Sequence, residues 1–389
     1  MAIIRIGWAI KVLLLSIFLC ILFSFQACSE KQSNQDNNDD NPAIPIGAKD
    51  ERIKALIATI NSGDPDLVRE FLETHCTASF KNAVPMDQHL DVFKRIFQDS
   101  GGMDIQDTRD SNSATNIQTK VIAKGRSKGN WNIDLYFEGK DTLLISGIMF
   151  GLVPEPPEGQ KERYLEKVYL SKLDNTQQPY IVKLPENYDK QKKYPLIIYL
   201  HGSGGDEKAI YMAPYFFPDG FFGLSVNGRG PLTDYCYSNA QEDIAEALAE
   251  VVKDYPIDQE NIIISGTSMG GFGVFRTFYE TPSKYKAIAS FSGLPKGKIA
   301  GPEQPDFLEV KNLENFKDLY IFIFHQTGDP LCPYEMVEKS VKVYQENGAN
   351  VEFCAEDTTG HGSPNHESIA AYHEWLRKVI KLEKHQNRE

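Results

Sequence analysis

Two different spacings of apolar residues divide the chain into two parts. Over residues 51–153, apolar residues first recur three and four positions apart, as Ile53, Leu56 and Ile57 do, and later alternate with polar residues. The first spacing indicates helices with one buried face, and the alternation indicates half-buried antiparallel strands. Helices followed by strands predict a small α+β domain.

Three helices and three strands are expected in this domain. The second helix should begin after Asp64, whose side chain caps it, with Pro65 in the first helical position. The apolar helix faces are Ile53–Ile60, Leu67–Leu72 and Val92–Phe97, and the expected strands are Ile117–Val121, Trp131–Phe137 and Leu143–Leu152.

From residue 162 onward, short apolar runs alternate with helical patterns. Continuous apolar strands are typical of parallel sheets covered on both faces, and helices connect such strands. The expected strands are Lys167–Lys172, Tyr180–Leu184, Leu196–Leu200, Phe222–Val226, Asn261–Ser265, Ala287–Phe291, Tyr320–His325 and Val351–Cys354, and the clearest helix is Gln241–Asp254. We therefore predict an α/β domain over residues 162–389, with a mostly parallel eight-stranded sheet whose ligands bind at the carboxyl ends of the strands.

The N-terminus has the features of a targeting segment. Arg5 and Lys11 supply positive charge, an apolar run follows, and the small residue Ala27 precedes Cys28. This order predicts a signal peptide over residues 1–27, with an apolar run shorter than the roughly 20 residues of a membrane span. The last residues resemble a bacterial lipobox, which implies a lipid on Cys28 and anchoring to a membrane of the bacterial cell envelope, in the periplasm or at the surface. Secretion with an unmodified Cys28 and an uncleaved N-terminal helix are the alternatives.

Composition constrains the partners and the connecting segments. The 389-residue chain has a formal net charge of −13, and an acidic surface repels phosphate backbones, so no nucleic acid partner is expected. Residues 28–50 are polar without periodic apolar positions, which predicts a flexible tether, and the proline-rich residues 154–161 predict a stiff linker. In an oxidising compartment Cys332 and Cys354 are the first pair to test for a disulfide, with buried reduced thiols as the alternative.

The strongest candidate for chemistry is the stretch Gly266-Thr267-Ser268-Met269-Gly270 directly after an apolar run. A serine between two glycines at the junction of a strand and a helix is typical of a nucleophile elbow, a sharp turn that exposes the hydroxyl above the sheet. A glycine-rich turn without chemistry is the alternative.

A serine nucleophile needs a base and a carboxylate that orients the base. Asp329 follows the strand that ends at His325, and His361 lies in the loop after the last strand, so the order along the chain is Ser…Asp…His. A surface turn is the alternative for Asp329. His366 is the rival of His361, whereas His373, within the final helix, is expected either to pack or to face solvent.

An oxyanion hole requires two backbone N–H groups that point at the developing charge. Met269, directly after the serine, is expected to supply one of them. Ser203, in the glycine-rich loop 200–205, is expected to supply the other. A phosphate-binding loop is disfavoured because no Gly-Lys-Ser/Thr follows.

These segments resemble the α/β-hydrolase superfamily over residues 162–382, in particular feruloyl- and acetylxylan-esterase-like proteins, polyhydroxybutyrate-depolymerase-like esterases and prolyl-oligopeptidase-like peptidases. The resemblance implies Ser268 as nucleophile, Asp329 as acid and His361 as base, with Ser203 and Met269 as oxyanion donors. Gln326 stands where relatives often carry glycine.

The resulting hypothesis is a serine hydrolase that cleaves carboxylic esters of small molecules or polysaccharides through an acyl-enzyme, with neither metal nor cofactor. A prolyl-oligopeptidase-like serine peptidase uses the same residues on an amide and is one alternative. A non-catalytic lipoprotein that binds glycan or protein at the cell surface is the other.

Three further groups of residues have an open role. The N-terminal domain is similar in its order of elements to NTF2-like domains, and its candidate metal ligands, with ordinary packing as the alternative, are His75, Cys76 and His89. A second group could stack against an aromatic acyl group or pack in the core, and consists of Tyr211, Tyr215, Phe216, Phe217, Phe221 and Phe222. Residues 293–316 form a long connection where a lid could lie.

Overall fold

The structure is a computed structural model that describes residues 46–110, 117–127, 129–139, 142–230, 235–236, 238–295 and 305–381. The chain divides into two compact units after Val153. The predicted signal peptide, the lipid site Cys28 and most of the predicted tether lie outside the described residues. Over the residues that are described, no helix is both long and apolar enough to cross a membrane.

The first unit begins with helices, as the apolar spacing predicted. They are α1 (Ile46–Ser62), α2 (Pro65–His75), α3 (Ala78–Asn82) and α4 (Met86–Ser100). Asp64 caps α2 by accepting a hydrogen bond of 2.8 Å from the N–H of Asp66. The prediction was wrong at two places. Helix α1 extends into residues 46–50 of the predicted tether, because a formed helix gains one hydrogen bond for each added residue whatever its polarity. The five-residue α3, capped by Thr77, is too short to show a helical period.

A four-stranded antiparallel meander completes the first unit. Its strands are β1 (Met103–Asp110), β2 (Ile117–Gly125), β3 (Asn130–Glu138) and β4 (Leu144–Leu152), in that spatial order. The apolar pattern missed β1, whose residues after Met103 are largely exposed, because an edge strand needs no alternating buried side chains. The helices and the sheet enclose one hydrophobic core.

The candidate metal ligands of the first unit have packing roles. Cys76 and His89 are buried in this unit, and the His89 ring lies 5.3 Å from the ring of Phe80. His75 is hydrogen-bonded to a guanidinium nitrogen of Arg52 at 3.0 Å. Over the described residues, no group of three or more His, Cys, Asp or Glu side chains is arranged to hold a metal ion.

The second unit contains the predicted eight-stranded sheet. Its strands are β5 (Tyr164–Leu170), β6 (Gln177–Lys183), β7 (Tyr194–Leu200), β8 (Phe222–Val226), β9 (Ile257–Thr267), β10 (Ala287–Phe291), β11 (Tyr320–Gln326) and β12 (Asn350–Glu356). Their spatial order is β12-β11-β10-β9-β7-β8-β6-β5. The six strands from β12 to β8 are parallel, and β6 and β5 join antiparallel at the other edge. The predicted fold class is therefore confirmed.

Helices cover both faces of this sheet. They are α5 (Ala209–Met212), α6 (Ser238–Asp254), α7 (Met269–Glu280), α8 (Val310–Leu313), α9 (Tyr334–Glu346) and α10 (His366–Lys381). Successive residues of β7 enter different cores, since Ile198 packs with residues of α6, α7 and α9 while Ile197 packs with residues of α5 and α10. Burial on both faces explains why these strands are continuous apolar runs.

The aromatic group between β7 and β8 belongs to the core. Five of the six residues pack in the core and are each at most 5% exposed: Tyr211, Phe216, Phe217, Phe221 and Phe222. The sixth, Tyr215, is partly buried and packs against the same core. Core packing, the alternative weighed for these residues, therefore accounts for them. Cys332 and Cys354 are free thiols, so the structure contains no disulfide between this pair.

Candidate active site

Ser268 occupies a sharp turn between β9 and α7. Its backbone has φ 56° and ψ −114°, a left-handed region that non-glycine residues rarely adopt. The turn is held in place because the N–H of Ser268 donates to the carbonyl of Phe291, at the end of β10, over 2.8 Å. The residue is partly exposed.

Close backbone contacts explain the two glycines that flank this turn. A Cβ atom on Gly266 would overlap the carbonyl oxygen of Gly270, and a Cβ atom on Gly270 would overlap the carbonyl oxygen of Leu200. Because β7 and β9 are neighbours, with Leu200 opposite Gly266, the helix after the turn starts directly against the end of β7. Only glycine leaves room for this approach.

The imidazole of His361 lies between Ser268 and Asp329. Its Nε2 atom is 2.7 Å from Oγ of Ser268, and its Nδ1 atom is 2.7 Å from Oδ2 of Asp329. A carboxylate only accepts hydrogen bonds, so Nδ1 carries the proton and Nε2 is left to accept from the serine hydroxyl. The structure thus brings together the three side chains selected from the sequence; their catalytic roles stay predictions.

Asp329 is held as a carboxylate by its surroundings. Its Oδ1 atom accepts the N–H groups of Leu331 at 2.8 Å and Cys332 at 3.0 Å, so Oδ2 is directed to His361. Burial by itself would raise the pKa of Asp329, but the hydrogen bond and charge of His361 and the two backbone bonds lower the pKa below its usual value. The carboxylate is therefore ionised at neutral pH and can orient the histidine.

His325 is a neighbour of the acid that sequence reasoning did not select. It is fully buried at the end of β11, its Nε2 atom donates to the carbonyl of Cys332 over 2.8 Å, and the same atom is 3.6 Å from Oδ2 of Asp329. Burial lowers the pKa of His325, so its ring is neutral. The sequence did contain a sign of this role, because His325 lies four residues before Asp329 on a strand that ends at the site.

Met269 directly follows the serine, and the loop that carries Ser203 comes close to the serine at Gly202. Met269 is the first residue of α7, and the first N–H groups of a helix have no acceptor within the helix. In the loop after β7, a Cβ atom on Gly202 would lie 3.5 Å from Cβ of Ser268, and Ser203 follows in an exposed position. Their roles as donors stay predictions.

The loop after β7 is held by His201. This residue is fully buried, and its two ring nitrogens lie 2.8 Å from the carbonyl of Gly202 and 2.9 Å from the carbonyl of Asn227. Its backbone N–H donates to the hydroxyl of Tyr235 over 3.0 Å. The buried ring and the backbone N–H of His201 thus hold the backbone before Ser203 in place.

The other histidines considered lie elsewhere. His366 is exposed at the first residue of α10, and no contact joins it to Ser268. His373 lies within α10 and hydrogen-bonds the carbonyl of Tyr215 at 2.6 Å, and burial lowers its pKa. The geometry therefore favours His361 as the partner of the serine.

A family model described as Phospholipase/Carboxylesterase matches residues 234–380. This range contains Ser268, Asp329 and His361 in the order expected for a hydrolase with a mostly parallel sheet. The second unit has the α/β-hydrolase fold. In this fold the candidate residues follow β9, β11 and β12, and all three lie at the carboxyl ends of their strands.

Curated relatives of this protein include esterases and peptidases. It is 29% identical over 195 residues to a probable feruloyl esterase C from Aspergillus terreus, which covers 47% of this chain and 67% of the relative. It is 27% identical over 244 residues to a probable dipeptidyl-peptidase 5 from the same species, covering 57% of this chain and only 32% of the relative. Among solved structures, that of a thermostable esterase has a TM-score of 0.45 at 19% identity, covering 72% of this chain and 76% of that one. The family model and the esterase relative support a hydrolase of the carboxylesterase type.

Proposed function

We propose that this protein is a serine hydrolase that cleaves carboxylic esters through an acyl-enzyme. The observation that carries the proposal is the hydrogen-bonded chain of side chains from Ser268 through His361 to Asp329, with both distances 2.7 Å, at the carboxyl ends of three parallel strands. A hydroxyl is a weak nucleophile at neutral pH, and these side chains supply the base and the orienting carboxylate that it needs.

In the acylation step, Oγ of Ser268 attacks the ester carbonyl carbon while its proton passes to Nε2 of His361. The carbonyl oxygen becomes an oxyanion, which the N–H groups of Met269 and Ser203 stabilise. The tetrahedral intermediate then collapses, the C–O bond to the alcohol breaks, and the alcohol leaves with the proton from His361. Asp329 stays ionised throughout and stabilises the imidazolium that forms.

Deacylation repeats these steps with water in place of the serine. His361 takes a proton from water, the hydroxide attacks the acyl carbon, and the second tetrahedral intermediate releases the carboxylic acid and restores the hydroxyl of Ser268. Each proton that His361 accepts is returned, so one cycle converts one ester and one water into an alcohol and a carboxylic acid.

The similarity to a feruloyl esterase C supports an acyl group on a polysaccharide, or a small-molecule ester, as the substrate. We further propose that the enzyme is a lipoprotein anchored through Cys28 to a membrane of the bacterial cell envelope. That location would place it near extracellular or periplasmic polysaccharide.

A serine peptidase is the second candidate, because a dipeptidyl-peptidase 5 is also among the relatives. The same side chains can act on an amide, whose amine leaving group needs the proton from His361 more than an alcohol does. The third alternative, a non-catalytic binding lipoprotein, is weakened by the intact hydrogen bonds between the three side chains.

Turnover of p-nitrophenyl acetate, feruloylated and acetylated xylan oligosaccharides and peptide anilides tests the proposal. The wild-type enzyme should hydrolyse esters and react with a fluorophosphonate probe. Ser268→Ala should lose both activities, with kcat reduced by about 10⁶-fold. The exposed Ser283→Ala serves as the matched control and should retain both. Cleavage of peptide anilides without ester turnover would favour the peptidase, and a folded wild type that the probe fails to label would favour the binding lipoprotein.

A further inference from the structure

Gln326 connects the turn that carries Asp329 with the loop that carries His361. It is the last residue of β11 and is 5% exposed. Its backbone carbonyl accepts the N–H of Asp329 over 3.1 Å, and its side-chain Nε2 donates to Oγ1 of Thr358 over 3.1 Å. One residue therefore contacts both segments on which the histidine depends.

The side-chain amide of Gln326 lies directly against Gly360, the residue before His361. A Cβ atom on Gly360 would be 2.5 Å from Nε2, 2.7 Å from Oε1 and 2.8 Å from Cδ of Gln326. The backbone of Gly360 does not have a positive φ in the left-handed region, so an alanine there would meet no backbone strain. A side chain at position 360 would therefore meet the amide of Gln326 and not an unfavourable backbone conformation.

Hydrogen bonds hold this loop both before and after Gly360. On one side, backbone N–H groups of Thr327 and Gly328 donate to the carbonyls of Glu356 and Thr358 over 2.8 and 3.0 Å. After the histidine, the N–H of Gly362 donates to the buried hydroxyl of Ser292 over 2.8 Å. Between these two anchors, Gly328 lies against Thr359 and the Gln326 amide lies against Gly360, directly before His361.

We propose that Gln326 is a positioning residue that sets the distance between Asp329 and His361 and so aligns His361 with Ser268. This inference rests on the proposed serine hydrolase function. The carbonyl of Gln326 fixes the turn of the acid, and the planar amide limits how closely the backbone of Gly360 approaches the sheet. Misplacement of a reacting group by about 1 Å costs about 100-fold in rate, so this limit affects turnover.

A cycle of the variants Gln326→Ala, Gly360→Ala and the double variant tests the proposal. Gly360→Ala forces its new methyl group against the amide, and kcat should fall by about 100-fold with KM little changed. Removing the amide makes space for that methyl group, so the double variant should recover kcat at least tenfold relative to Gly360→Ala. Titration with a fluorophosphonate gives the concentration of reactive sites, and kcat per reactive site separates misalignment from loss of folded protein.

Gly362→Ala provides the matched control. Gly362 has φ 70°, and a Cβ atom there would lie 2.5 Å from Cγ2 of Thr267, so its defect has a cause unrelated to the amide. Gln326→Ala should leave that defect unrepaired.

The outcomes separate this proposal from the proposed function. A labelled, active wild type whose Gly360→Ala variant keeps its kcat, or is not improved by Gln326→Ala, overturns the positioning role and leaves the hydrolase intact. The positioning role is also overturned if Gln326→Ala raises the kcat of Gly362→Ala as much as that of Gly360→Ala, because the effect would then not depend on the contact with Gly360. A wild type that neither turns over esters nor reacts with the probe overturns both proposals.

Discussion

Replacing Asp329 by asparagine should lower kcat/KM by about 10⁴-fold while the enzyme stays folded. The N–H groups of Leu331 and Cys332 both donate to Oδ1 of Asp329. An asparagine must place its carbonyl oxygen at that position, since the amide nitrogen cannot accept hydrogen bonds. The NH₂ group then takes the position of Oδ2, 2.7 Å from Nδ1 of His361.

This substitution reverses the tautomer of the histidine. Nδ1 of His361 must accept from the new amide, so the ring proton moves to Nε2, which then points at Ser268 and cannot remove its proton. The loss of about 10⁴-fold is equivalent to about 5 kcal/mol of transition-state stabilisation. Geometry and volume are unchanged, so the deficit reports the reversed tautomer together with the lost charge that stabilises the imidazolium.

Steady-state ester hydrolysis at neutral pH is the assay, with Asp99→Asn as the matched control. Asp99 is an exposed carboxylate at the end of α4 and should keep wild-type activity when neutralised. An Asp329→Asn variant within about tenfold of the wild type would refute the reasoning, because the carboxylate would then not set the tautomer.

The contribution of Asp329 to the stability of the fold should decrease as the pH falls. The pKa of Asp329 is lowered in the folded enzyme, so its ionised form stabilises the fold at pH values above the ordinary aspartate pKa. That contribution is lost as the pH falls through the lowered pKa. The stability difference between the wild type and Asp329→Asn should therefore be largest near neutral pH and should shrink on acidification, as thermal unfolding would measure.

Two further predictions concern stability. Gly270→Ala should destabilise the fold by about 3 kcal/mol, measured by urea unfolding, because its Cβ atom would overlap the carbonyl oxygen of Leu200; an unchanged midpoint would contradict the close approach. Lys183 is 2% exposed, and burial lowers its pKa from 10.5 to about 8, so Lys183→Met should stabilise the fold at pH 7 by about 1–3 kcal/mol. The penalty on the charged form is full below pH 8 and disappears as the pH rises toward 10.5, so an equal gain at pH 7 and pH 10 would contradict this cause.

The sheet was predictable because burial on both faces leaves a direct trace in the sequence. Strands such as Phe222–Val226 and Ala287–Phe291 have the predicted bounds, since every residue in them is buried. Strand β1 was missed for the opposite reason, because an exposed edge strand is selected by its backbone hydrogen bonds and not by apolar side chains.

The residues of the candidate site could be predicted from the sequence, but the neighbouring residues that hold them in place could not. The sequence allowed three residues to be selected, because each follows an apolar run and together they form a known catalytic combination: Ser268, Asp329 and His361. The roles of Gln326 and His325 depend on contacts across two loops. Periodicity records the burial of a residue on its own element and carries no information on which backbone atom a side-chain amide touches.

The left-handed backbone at Ser268 has a consequence for how this position responds to substitution. Holding a side chain at φ 56° costs about 1–3 kcal/mol, a cost that glycine would avoid. A screen of variants at residue 268 for heat resistance alone would therefore enrich glycine. The most thermostable variants recovered would lack the serine hydroxyl and would be catalytically inactive.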